Sequence, residues 1–194
     1  MSVFAPRNPA QIAALVARHP LAWVVSGMHA TPLPLLAETD EDGAVTALVG
    51  HFALRNPQVA TLQADPQAQV LFLGAEGYVS PKLVTQPQWA PTWNYEVARF
   101  AVEVEFDPEA NDEALDRLIA HMEGDAPDRW STAAMGERYA PMLERIIAFR
   151  AVVLSCEATF KLGQDERPES LAQILAGHQD TALVAAMKAA AAAD

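Results

Sequence analysis

The stretch from residue 78 to 95, YVSPKLVTQPQWAPTWNY, constrains this chain more than any other. It holds Tyr78, Trp89, Trp93 and Tyr95, four of the seven Trp and Tyr residues, together with Lys82, one of three lysines. Pro81, Pro87 and Pro91 fall within eleven residues. Proline fixes φ and removes a backbone donor, so neither a helix nor a central strand fits there. Tyr and Trp carry a flat apolar face with one polar tip, which suits a half-wet pocket or an interface. The stretch therefore reads as an ordered, extended loop between two strands, of the kind that carries function. The competing reading is a loop that caps the core with its rings.

On either side, the chain supports one domain. Its 194 residues bury a sizeable core, and the domain is placed at 1–180. Residues 181–194 are Ala-rich, with helical propensity but little to bury, so a frayed helix is expected. No run of 18 apolar residues and no basic-then-apolar leader follows Met1, so neither a membrane span nor a secretory signal is expected. The single cysteine, Cys156, excludes an intrachain disulfide and fits the cytoplasm. Set in the run AVVLSCEA, it reads as a buried small apolar residue. The net charge of −12 repels phosphate backbones and anionic membranes, so no DNA binding by the isolated chain is expected. An anion site must then be built from 13 basic residues, whose positions are informative.

Taken in order, Asn8-Pro9 is a cap-then-proline helix start, and Pro20 ends that helix. LAWVVSG reads as a strand, and residues 30–38, with two prolines, as an extended edge. Asp40 to Gly43 is a turn into the strand AVTALVGH. Asn56-Pro57 repeats the cap signature and predicts a short helix. Its free amides, facing His51 and Arg55, form a candidate anion site. QVLFLG, a turn at 75–77 and YVS lead into the central loop. After it, NYEVARFAVEVEF alternates as a half-buried antiparallel strand. Helices are expected near 111–122 and 137–147. FRAVVLSCEATF is the last strand, and a helix starts at Pro168. Six or seven antiparallel strands with peripheral helices indicate an α+β domain on a small barrel. There is no βαβ order, Gly-rich phosphate loop, HExxH spacing or helix-turn-helix. Ser80 precedes a proline in an extended segment, unlike a nucleophile elbow.

Six short motifs stand in a fixed order: HPLA (19–22), LPLL (33–36), GHFA-x-x-NP (50–57), YVSP (78–81), PTWNY (91–95) and FKLGQ (160–164). Together they resemble the PaiB-type FMN-binding negative transcriptional regulator family over residues 3 to about 175. The resemblance implies a split β-barrel, related to pyridoxamine-phosphate oxidases and flavin reductases, with FMN at a homodimer interface and a role in repression. It points to His51, Arg55 and Asn56 at the phosphate, and to Ser80, Thr92, Trp93 and Asn94 at the ring. Lys161 and Gln164 fall near the same site, in reach of it from the partner subunit. The chain departs from the family pattern at Pro32, Leu54, Val59, Lys82-Leu83 and Gly163. Alternatives are a flavin-dependent oxidoreductase, a haem-binding split barrel with His51 as axial ligand, or a flavin-free interaction module. Regulation is expected to run through a small molecule or a protein partner.

Overall fold

The computed structural model describes residues 2–192. Asn8 caps helix α1 (Pro9–Arg18) by accepting the Gln11 amide, and Pro9 sits in the first turn, where no N–H is needed. Leu15 and Val16 fix the helix to the core. Four strands follow: β1 (Leu21–Ser26), β2 (His29–Pro34), β3 (Leu36–Thr39) and β4 (Val45–Ala53). In the turn before β4, Asp40 Oδ1 accepts the amides of Asp42 and Ala44. Asn56 caps helix α2 (Pro57–Ala64) as its composition predicts. Then come β5 (Gln67–Val79), β6 (Thr92–Phe106), helix α3 (Asn111–Glu123), the short α4 (Tyr139–Leu143), β7 (Ile146–Lys161), α5 (Pro168–Gly177) and α6 (Thr181–Ala191).

All seven strands pair antiparallel in the order β2-β1-β5-β6-β7-β4-β3. The two end strands, β2 and β3, are joined through the single residue Leu35, so the sheet must curl until its ends meet. That closure is the barrel. Leu35 is fully buried, and its amide bonds to Pro20 O at 2.8 Å. Gly50 of β4 lies beneath this crossing: a Cβ there would stand 2.5 Å from Leu35 Cδ2 and 3.0 Å from Pro34 O. Only glycine admits the two backbones so close. Inside, Phe52, Phe72, Phe100 and Phe149 pack with the aliphatic residues of both barrel halves. The Phe52 and Phe149 centroids are 5.0 Å apart.

Helix α2 plugs one end of the barrel through a buried polar key. Gln58 is fully buried; its Nε2 donates to Val24 O and Ser26 Oγ, and its Oε1 accepts from Thr31 Oγ1. At the outer wall, Arg117 of α3 and Arg150 of β7 both bond Glu38 of β3. Burial raises the Glu38 carboxyl, but these two guanidinium groups outweigh it and hold the pKa below the ordinary value.

Four expectations are corrected. The turn at 75–77 is a bulge, between Leu73 and Glu76, inside a continuous β5. The helix at 137–147 is a 3-10 segment followed by α4, and Ile146-Ile147 already belong to β7, whose pairing with β4 claims them. Cys156 is exposed: it stands opposite the buried Phe100, on the same face, but lines an open cavity beside Pro6, Pro9 and Ile12. Finally, the Ala-rich segment has a good deal to bury. Asp180 caps α6 through the amides of Ala182 and Leu183, and Leu183 and Met187 are fully buried in the core.

Candidate functional site

Strand β7 measures the site. His51 pairs with Ala148 near its start, whereas Lys161, at its end, pairs with Tyr95. Thirteen residues of strand separate the two, roughly 40 Å of contour at about 3.3 Å per residue. One chain therefore presents two half-sites at opposite ends of the barrel. His51, Arg55 and Asn56 lie at the α2 end. Ser80, Thr92, Trp93, Asn94, Lys161 and Gln164 lie at the end that β5, β6 and β7 share with α5 and α6.

At the α2 end, β4 delivers His51 and then breaks into the turn that carries Arg55. The Asn56 side chain accepts the Gln58 amide at 2.9 Å and donates to Thr31 Oγ1 at 3.1 Å. Its carbonyl takes the Val59 amide at 3.0 Å, and Pro57 has no N–H. The cap itself thus holds the first amides of α2, which the sequence reading had offered to an anion. Two of the three predicted residues at this end keep an uncommitted side-chain group. Arg55 is exposed, with no side-chain bond. His51 Nδ1 is buried without a hydrogen-bond partner, and burial holds the imidazole pKa below its ordinary value.

At the other end, much of the predicted set holds structure. Ser80 Oγ caps the 3-10 turn Pro81–Leu83. Asn94 is 1 % exposed beneath α6 and donates to Met187 Sδ at 3.5 Å. Gln164 clamps its own strand end, donating to Phe160 O and accepting from Leu162 N. What faces outward is smaller: Lys161 bonded to Thr92 Oγ1, and Trp93 beside Tyr78 with ring centroids 6.0 Å apart. Both rings are half exposed, and Glu76 accepts the Trp93 indole N–H.

The aromatic stretch is accordingly divided. Tyr78, Trp93 and Tyr95 belong to strands, and the connection itself, 80–91, docks on α5. Trp89 donates to Glu166 at 2.9 Å, and Thr85 exchanges bonds with Gln173 through its amide and hydroxyl. Sequence reasoning missed Gln58, and also Glu96, a carboxylate 4 % exposed that pairs with Arg18 at 3.2 Å. Its phase could have revealed it, because Asn94, Glu96, Ala98, Phe100 and Val102 all point inward on β6. Val97 lies on the opposite phase.

Among the described residues no cluster of His, Cys, Asp or Glu could hold a metal ion, and no helix is long and apolar enough to cross a membrane. By shape, the chain is similar to the FAD and Heme binding protein from Mycobacterium smegmatis, with a TM-score of 0.60 and 22% identity over 86% of this chain and 77% of that one. It is also similar to the Flavocytochrome Anf3 from Azotobacter vinelandii, with a TM-score of 0.61 and 14% identity over 81% and 69%. At such identities these likenesses speak to the fold, an α+β split β-barrel. By sequence, it is 29% identical over 139 residues to the "Protease synthase and sporulation protein PAI 2" of Bacillus subtilis (strain 168). That alignment covers 70% of this chain and 65% of the relative, less than two thirds of its length. The family described as "Putative FMN-binding domain" matches residues 1–155. The match takes in the barrel as far as the middle of β7 and leaves α5 and α6 outside, and the chain belongs to this FMN-binding domain family.

Proposed function

We propose that this chain binds FMN as a cytoplasmic homodimer and serves as a negative regulator of transcription through a flavin-dependent contact with a partner. The carrying observation is His51 Nδ1, a buried polar atom with no partner in the single chain. Such an atom costs about 1–3 kcal/mol unless a ligand or neighbour satisfies it. Arg55, four residues on, adds an uncommitted charge. Lys161 and Trp93 supply a cation and an open ring face at the far end. A two-fold axis that sets two barrels antiparallel brings the α2 end of one copy beside the Lys161 end of the other.

FMN, when bound, supplies a redox-active ring and a phosphate of nearly two negative charges. Arg55 would hold that phosphate by charge-assisted bonds. Lys161, positioned by Thr92, would place positive charge beside the ring, where it favours the reduced form. Trp93 would cover the ring and exclude water. The repression reading rests on the likeness to the sporulation protein. With a net charge of −12 the regulator works through a small molecule or protein rather than a basic DNA-reading face.

Titration of FMN, followed by flavin fluorescence and by the two-band absorption of oxidised flavin, tests the reading. Saturable binding is expected, and Arg55→Ala weakens it about 10- to 150-fold, the worth of a charged hydrogen bond. Arg129→Ala, on a remote exposed loop, leaves it unchanged. No binding at millimolar FMN, or an equal loss in both variants, refutes the pocket. A Soret band in the purified protein would assign His51 to haem instead.

A further inference from the structure

A second site stands apart from these half-sites. A cavity of about 900 Å3 opens between the N-terminal segment, α1, the barrel end and α6. Gln164 alone of the nine site residues lines it, and its α6 wall lies beyond residue 155, where the family match ends. We propose that this cavity binds an amphipathic monocarboxylate: a linear apolar body with one anionic head.

The body is specified by the walls. Ala182, Ala185, Ala186, Ala189 and Ala190 line one side at the spacing of a single helix face. They offer methyl groups only, with nothing polar to satisfy and no long side chain to fill the space. Leu183 and Met187, on the adjoining face, anchor the helix in the core, so the wall is held in place. Phe160 and Leu162 line the barrel side.

The head is specified by charge. Among the described residues the lining carries the guanidinium groups of Arg18 and of Arg7, which donates to Ala190 O at 2.8 Å, and one carboxylate, Glu96, in a chain of net charge −12. That carboxylate is already held: Glu96 Oε1 accepts from Arg18 at 3.2 Å, and Oε2 lies 3.4 Å from the Ala75 amide. A ligand amine would have to compete with Arg18 for a buried oxygen. The Arg18 side chain is 53% exposed and directs one N–H to Glu96, which leaves further donors of its fork for a second carboxylate.

Decanoate, decylamine and decanol, titrated separately into the full chain by calorimetry, test the assignment. Decanoate is expected to saturate one site per chain, with decylamine at least about tenfold weaker. The double variant Arg18→Gln/Glu96→Gln removes both charges together, so no buried charge is orphaned. It is expected to weaken decanoate about tenfold or more while decanol and FMN bind as before. Ala189→Leu narrows the trough and is expected to weaken decanoate and decanol alike. No saturation at millimolar decanoate, equal binding of decylamine, or an unaltered double variant would each overturn the proposal. FMN affinity is read in the same samples, so failure here is distinct from failure of the flavin pocket.

Discussion

His51 shows how position remakes a residue. Burial holds its pKa below the ordinary 6.5, so the folded chain refuses a proton that the unfolded chain accepts near that value. Its contribution to stability is complete above the unfolded pKa and is lost as the pH falls below it, toward the folded value. Urea midpoints between about pH 7 and pH 5 should therefore fall more steeply for the wild type than for His51→Gln; parallel slopes would contradict this. Gly163 makes the same point for a departure from the family motif. Its φ is +88°, and a Cβ would stand 3.1 Å from both Leu171 and Met187. A serine there would be strained in this backbone and crowded by α5 and α6. Cys156 is exposed, yet its thiol is pushed up to about 11 by desolvation and by Glu157, and stays protonated.

Among the elements, α6 overturns what composition suggests. An Ala-rich helix has propensity, but its stability here comes from Leu183 and Met187, both fully buried. Leu183→Ala should cost about 2–5 kcal/mol in urea unfolding, the usual range for a buried Leu. Met122, 63% exposed on α3, provides the contrast: Met122→Gln should stay within about 0.5 kcal/mol. A small effect at Leu183 would mean that α6 frays as its alanines suggest. Helix α5 serves the loop in a similar way: Gln173 and Ser170 on it, and Glu166 just before it, are partners of residues 85–89.

At the scale of the whole molecule, the outer face of β1, β5 and β6 is unusually apolar for a free surface. Leu21, Trp23 and Leu73 are each more than half exposed; Trp23 stands in register with Leu71, and Leu73 with Val97. A second copy would cover this face and join the half-sites that one chain keeps apart. Light scattering at micromolar concentration should therefore give twice the 20.9 kDa chain mass. Trp23→Arg with Leu73→Glu should halve that mass without altering the circular dichroism. A single-chain mass for the wild type would remove the dimer, and with it the composite pocket.

Alternation, proline punctuation and the two Asn-Pro caps determined the starts of α1, α2 and α5, most strands and the antiparallel barrel, because each is a local rule acting within a few residues. The motif order likewise led to the flavin family. Only the tertiary structure decided what those rules cannot reach. The pairing of Glu96 with Arg18 depends on where α1 packs against the barrel, and the bulge in β5 depends on its pairing with β6. Burial of α6 depends on contacts with residues far earlier in the chain. The separation of His51 and Arg55 from Lys161 and Trp93 follows from β7 running the length of the barrel, so motifs that belong together in family order stand at opposite ends of one chain.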